Sequence, residues 1–363
     1  MLCLEPPITI GFVLRLIACS GILLFALDQP AGPVHPAAAA RAFSPPGKSE
    51  IVIELAPVDL PANGSHVLPP IAILRLPASG SLYGFRVEMV DTAGRPLPSD
   101  LIHHFNLIDP DHRELFLPIS RRMVAAGKET GSQQIPWFLF GFPVHRGERM
   151  LASAMLSNPT SIAYSQARCR LVLLYTPSSR PWPLFRAEPF QMDVAFPVGD
   201  KSFDLPPGQF SRSYEGSPAV PGSIVAIGGH VHELAHRLDF VDMTTGDTIY
   251  NAVPVTDSAG DIIGVPVERL YKLGRLGFHI VPDHRYRVTV HYVNPSDHVI
   301  PAGGMGVVGG LFVPDGGTFW PSTDPSDSLY KQDLRHAMRQ VPGAHDMMDM
   351  PGHSHTHDHS HSH

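Results

Sequence analysis

The sequence has little cysteine, no excess of positive charge and no long helical pattern. Only three cysteines occur; Cys3 and Cys19 lie in an apolar N-terminal segment, so Cys169 is left alone and the body has no internal disulfide. Cys169 lies in an apolar, strand-like run and is expected to be buried and inert. The formal net charge of −7 excludes a nucleic-acid partner, because a phosphate-binding surface needs a basic excess.

The N-terminal pattern is typical of an export signal. Residues 8–27 are almost continuously apolar apart from Arg15, and prolines and the alanine run 37–40 follow. This pattern favours cleavage near Ala40. An uncleaved membrane anchor is the alternative, since roughly 20 apolar residues can span a bilayer. We assign residues 1–44 to this segment and expect an exported protein, periplasmic or extracellular.

Short apolar segments bounded by turn residues predict an all-β body. Residues 50–55, 72–76 and 287–292 are rich in β-branched or aromatic residues and are bounded by Pro, Gly, Asp or Asn. The 38 prolines and 32 glycines interrupt the chain too often for long helices. Many short strands at this spacing are typical of β-sandwiches.

Two stretches of the body resemble each other. Residues 147–160 and 283–296 each form a predicted strand that ends in Asn-Pro, and a histidine cluster precedes each strand end by about fifty to sixty residues. We therefore predict two related tandem jelly-roll-like β-sandwiches over residues 48–198 and 203–315. Residues 316–363 are assigned to a tail.

Each half also contains histidine and methionine in a pattern typical of soft-metal sites. The candidate ligands are, in chain order, His103, His104, Met155, His230, His232 and Met305. Alternate residues of a strand point to one face, so His230 and His232 can present both rings to one ion. His103 and His104 would face opposite sides of a regular strand, so they can share an ion only at a bulge or twist. Imidazole with thioether favours copper, as one or two ions.

A His-His pair in a first sandwich, followed by His-x-His and a later Met in a second, resembles the ascorbate-dependent type II copper monooxygenases, as a divergent bacterial-type member. This family includes the peptidylglycine α-hydroxylating and dopamine β-hydroxylating enzymes. The resemblance covers most of residues 80–315. It implies one copper in each sandwich: an electron-transfer copper at the His-His pair, and a catalytic copper at the His-x-His pair and Met305. There O2 and ascorbate, or another external reductant, would hydroxylate an unknown small-molecule substrate.

The sequence departs from this family at several places. Met155 stands where the family has a third histidine, and His145 is another candidate ligand. Gly228, Val307 and Gly309 stand where the peptide-amidating enzymes hold the substrate carboxylate with Arg, Asn and Tyr. An uncharged pocket cannot make the bidentate grip of an arginine, so we do not expect peptide amidation.

The C-terminus has histidine at every second position. These residues are His353, His355, His357, His359, His361 and His363. The tract has no apolar content with which to pack, so it is expected to be disordered, and its imidazoles could bind copper, zinc or nickel.

Three functions compete on the sequence alone, and whether the protein is an enzyme stays open. The first is a monooxygenase-like enzyme. The second is a non-catalytic periplasmic copper carrier or reservoir working with a copper-handling protein; the methionines, the missing carboxylate clamp and the tail favour it. The third is a structural or adhesion β-sandwich, in which the histidines are ordinary strand residues and Met305 fills a core gap.

Overall fold

The computed structural model describes residues 39–127, 130–181, 183–196 and 201–338. Most of the predicted export segment and the whole histidine-rich end of the chain lie outside these residues. Within the described part, no helix is long and apolar enough to cross a membrane.

The first half forms two sheets that face each other. Its strands are β1 (Arg41–Phe43), β2 (Glu50–Glu54), β3 (Val58–Leu60), β4 (Gly64–Val67), β5 (Ala72–Arg75), β6 (Gly80–Val90), β7 (Pro96–Leu97), β8 (Ile102–Arg113), β9 (Ser120–Gly127), β10 (Gln133–Gln134), β11 (Phe140–Val144), β12 (Arg149–Asn158), β13 (Tyr164–Pro177) and β14 (Phe185–Arg186). One sheet has the order β1-β2-β13-β6-β11-β14, with β3 paired to β13 and β7 and β10 paired to β6. The other has the order β4-β12-β8-β9, with β5 paired to β12. A 3-10 turn, Ser99–Leu101, leads into β8.

The second half repeats this arrangement and adds one helix. Its elements are β15 (Glu188–Asp193), β16 (Phe203–Leu205), β17 (Gly208–Gly216), β18 (Gly222–Val231), β19 (Ala235–Asp242), β20 (Thr248–Ala252), β21 (Val255–Thr256), β22 (Ile262–Gly264), β23 (Glu268–Arg269), β24 (Phe278–Ile280), β25 (Tyr286–Asn294), β26 (Ile300–Gly304), β27 (Gly306–Pro314) and α1 (Ser328–Met338). The two main sheets have the orders β15-β27-β18-β23, with β24 paired to β18, and β17-β25-β19-β20. Two short two-stranded sheets, β16-β26 and β21-β22, complete the second half.

Each pair of facing sheets encloses an apolar core. In β25, Tyr286, Val288, Val290 and Tyr292 alternate with more exposed residues, and all four lie in the second core. This period of two places every other side chain on one face of the sheet. The prediction of an all-β protein built of β-sandwiches is confirmed.

The two halves interlock more than their sequence boundaries suggest. Strand β15, assigned by sequence to the first sandwich, pairs with β27 of the second. Between β8 and β9, four residues of the first half insert into the second core: Leu115, Phe116, Leu117 and Ile119. Both sandwiches accordingly belong to one compact unit.

The segment after residue 315 is also not simply a tail. Helix α1 packs Met338 against Ile108 and Leu151, on the outer face of the first half's smaller sheet. Asp333 of the helix accepts hydrogen bonds from both terminal nitrogens of Arg122, at 2.5 and 2.7 Å. The described part of the predicted tail is therefore folded onto the body.

The internal repeat is present in the strand ends. Asn158 and Asn294 terminate β12 and β25, and both are almost fully buried. The Asn158 side chain donates to the carbonyls of Leu60 and Ile162, and Asn294 donates to those of Leu205 and His298. The Asn-Pro turns therefore tie equivalent strands to neighbouring loops in both halves.

Candidate metal centre

The first histidine pair lies at a β-bulge in β8. His104 pairs with Met155 of β12, whereas the next paired residues are Ile102 and Leu156, so His103 is an extra residue in its strand. Because a bulge turns the extra side chain away from strict alternation, both rings lie together, with centroids 4.3 Å apart. The bulge that His103 and His104 would need in order to share one ion is therefore present.

The second pair lies at the end of β18. Val231 enters the second core, so His230 and His232 point to the opposite face of that sheet. Gly229 permits close packing beside them, since a Cβ there would lie 2.2 Å from the side chain of Leu238. The hydroxyl of Tyr292 accepts from the backbone N–H of His232 at 3.2 Å and anchors the end of the pair.

The structure brings both histidine pairs together at one place. Phe105 packs in the first core, so His104 points out of the first sandwich towards the outward-facing His230 and His232. The ring of His104 lies 5.1 Å from that of His230 and 6.1 Å from that of His232, between centroids. One ligand nitrogen from each of the three lies within 4.8 Å of the others. We call these three residues the inner trio.

The backbones of both candidate methionines lie next to cluster residues, Met155 by strand pairing and Met305 through hydrogen bonds of Tyr292. Met155 is the direct cross-strand partner of His104, and paired residues of neighbouring strands share a face of the sheet. The backbone of Met305 is tied to that of His232 through Tyr292, whose hydroxyl accepts from the Met305 N–H at 2.9 Å and donates to its carbonyl at 2.5 Å. Burial raises the pKa of Tyr292 to about 12, so the hydroxyl keeps its proton.

One histidine of the cluster has no signal in the sequence. His66 lies on the solvent-exposed strand β4, and its ring stacks on that of His103 at 4.6 Å between centroids. It stands alone in its segment, and only the pairing of β4 with β12 carries it to the site. His145, the other candidate ligand, is exposed in the turn after β11, where its backbone N–H donates to Glu148.

A buried carboxylate lies in the same row of the sheet as His230. Asp193 of β15 and His230 of β18 both pair with Val307 of β27, one from each side. Asp193 is fully buried. Burial raises its pKa to about 6, although the positive charges of Lys201 and Arg122 oppose the shift. The site thus has an acidic group in its surroundings that the sequence analysis missed.

A second polar connection joins the halves away from the histidines. Arg121 of β9 donates to Glu188 of β15 at 2.5 Å and to Asp109 of β8 at 2.6 Å. Its guanidinium also lies over the rings of Phe142 and Trp320. Burial alone would raise the pKa of Asp109. The hydrogen bond with His112 and the charge of Arg121 outweigh burial and hold this pKa below its ordinary value.

Comparisons with known proteins identify no family. No family model matches the chain, and no curated protein does. Among solved structures, the major capsid protein P2 of bacteriophage PM2 is similar over 74% of this chain and 100% of its own, at 10% identity and a TM-score of 0.32. A peptide-N(4)-(N-acetyl-β-D-glucosaminyl) asparagine amidase is similar over 72% of this chain and 96% of its own, at 6% identity and a TM-score of 0.35.

A third match is the structure of the infectious bursal disease virus Gx strain, over 78% of this chain and 73% of its own, at 11% identity and a TM-score of 0.23. The expected membership of the copper monooxygenases is wrong, because no family model and no curated protein supports it. The monooxygenase and oxidoreductase assignments are therefore wrong as well, and the family resemblance no longer supports copper as the metal. The geometry also differs, because the resemblance implied one metal in each sandwich, whereas His104, His230 and His232 form one cluster.

Proposed function

We propose that this protein is a structural β-sandwich protein whose two halves are joined by a divalent transition-metal ion at the inner trio. The observation that carries the proposal is that ligand atoms of His104 in the first half and of His230 and His232 in the second half lie within 4.8 Å of one another. Imidazole nitrogens bind such ions at about 2.0–2.1 Å, so tetrahedral ligands are roughly 3.4 Å apart. Small side-chain rotations would close the remaining gap.

The chemistry of the donors defines the class of ion. Neutral imidazoles suit zinc, nickel and copper ions, whereas calcium and magnesium require oxygen ligands. The Nε2 atoms of His230 and His232 are shielded from solvent, which favours a retained ion over a loosely associated one. We therefore expect zinc, nickel or copper, and no alkaline-earth ion, to bind at this site.

The position of the trio supports a structural role. His104 and His230 are 126 residues apart in the sequence (230 − 104), so an ion between them holds distant parts of the chain together in the folded state. An ion that binds only the folded state stabilises it by mass action, by about 2.7 kcal/mol at a free concentration one hundred times its Kd.

The test uses the full-length chain with the six tail histidines replaced by serine, because the tail would bind metal by itself. Zinc titration and thermal unfolding are expected to give one ion per chain and a higher Tm with zinc than with EDTA. His104→Ala and the double variant His230→Ala, His232→Ala should lose both effects. His298→Ala, whose side chain is 72% exposed, is the matched control and should keep them.

Two results would overturn the proposal. If zinc, nickel and copper all fail to bind the tail-substituted chain, the cluster is not a metal site. If binding survives in His104→Ala and in the double variant, the ion is held elsewhere.

A metal reservoir is the second candidate function, and the exposed ring of His66 favours it because a reservoir must exchange its ion with solvent. A structural ion would be released only as the chain unfolds. A reservoir ion would pass to a chelator while the protein remains folded, which circular dichroism during chelation can follow.

A further inference from the structure

We infer that His66 and His103 form an outer metal-binding position through which a divalent transition-metal ion enters and leaves the inner trio. This inference rests on the metal site proposed above. It assigns His66 and His103, which are not members of the trio, to a transient site for the same class of ion.

The rings form a continuous series from solvent inward. His66 is exposed, and its ring stacks on His103 with an interplanar angle of 25° and 4.6 Å between centroids. The half-buried ring of His103 lies 4.3 Å from His104 and 6.4 Å from His232. These centroid separations place each ring beside the next, so side-chain rotation would let an ion keep one imidazole while it gains the next.

The bulge in β8 explains why His103 can serve both sides. In a regular strand His103 would point to the face opposite His104, into the first core. As the extra residue of the bulge it instead lies between His66 on β4 and the trio. The backbone irregularity thus connects an exposed ring with a shielded cluster.

The inner trio needs such a path. An ion entering from water must exchange its water ligands for imidazoles, while the Nε2 atoms of His230 and His232 are shielded from solvent. An exposed imidazole can replace the first water ligands before the ion reaches the interior, which lowers the barrier to entry. The same residue lowers the barrier to exit by the same amount, because a relay changes the path and not its end states.

The experiment is a stopped-flow measurement of zinc loading, and of zinc removal by an excess of chelator, on the tail-substituted full-length chain. Two variants are compared with it, His66→Ala and His66→Phe. Phenylalanine preserves a ring that can stack on His103 but has no ligand atom, whereas alanine removes both. His298→Ala serves as the control.

The expected result is that both His66 variants load and release zinc more slowly by roughly tenfold, which corresponds to about 1.4 kcal/mol in each barrier, with Kd unchanged. Unchanged rates in both variants would overturn the inference. So would a defect in His66→Ala that phenylalanine restores, since stacking alone would then explain it.

Two further results also overturn it and are distinguishable. If both variants weaken Kd while the loading rate stays normal, His66 is a permanent ligand and not a relay. If the unsubstituted site takes up no zinc at all, the proposed metal site itself fails, and the relay fails with it.

Discussion

Replacement of Arg121 by alanine should destabilise the protein strongly. The Arg121 side chain is 3% exposed, and its partners Asp109 and Glu188 are 6% and 0% exposed. Alanine leaves two buried carboxylates without this cation. Asp109 would then keep its side-chain contact with His112, and Glu188 its contact with Arg186. Breaking a buried pair by removing one partner costs about 3–5 kcal/mol.

That cost is a large part of the total stability, because folded domains are stable by about 5–15 kcal/mol. Urea unfolding followed by tryptophan fluorescence should show a much lower midpoint for Arg121→Ala. The matched control is Arg95→Ala, whose side chain is 80% exposed and pairs with Asp91; a solvent-exposed pair contributes little, so the midpoint should hardly move.

A loss below about 1 kcal/mol in Arg121→Ala would refute this reasoning, since it would mean that the carboxylates are neutral or hydrated without the arginine. If Arg121→Ala does not fold at all, the triple variant Arg121→Met, Asp109→Asn, Glu188→Gln decides the matter. It removes all three charges together and should recover most of the lost stability. Failure of the triple variant to recover would point to packing around Phe142 and Trp320 instead.

Three other outcomes are expected. Burial raises the pKa of Asp193 from 3.8 to about 6, so between these pH values the folded state holds a proton that the unfolded chain releases. The stabilisation from this bound proton is therefore lost as the pH rises from 3.8 to about 6, and the free energy of unfolding falls. In Asp193→Asn the free energy of unfolding should change less with pH in this range. Tyr292→Phe removes the hydroxyl that ties His232 to Met305, and zinc titration should show roughly ten- to hundredfold weaker binding; unchanged affinity would contradict this. Cys169 is 1% exposed and burial raises its pKa, so a thiol reagent should modify it only in denaturant; rapid reaction of the folded protein would contradict its placement.

Local patterns predicted local structure well. The alternation in β25, the Asn-Pro strand ends and the need for a bulge at His103 all follow from rules that act over a few residues. The paired histidines stood out as candidate ligands because such pairs are easily recognised in a sequence; that they bind a metal stays a prediction.

What the sequence could not predict is which strands meet. His103 and His104 lie on β8, in the smaller sheet of the first half. His230 lies on β18 and His232 directly follows that strand, and β18 belongs to the sheet of the second half that corresponds to the larger sheet of the first. The similar spacing in the two halves therefore suggested two separate sites, whereas packing brings the histidines of both halves into one cluster. His66 was missed for the same reason, since β4 reaches the cluster only through its pairing with β12.

The insertion of Leu115, Phe116, Leu117 and Ile119 into the second core limits how this gene can be divided. The ring of Phe116 lies 5.8 to 6.1 Å from those of Phe190, Phe240 and Tyr286, so a fragment carrying only the second sandwich would open a hole at the centre of its own interior. Separating the halves by truncation would break this shared interior. The second half is therefore not expected to fold without the segment between β8 and β9.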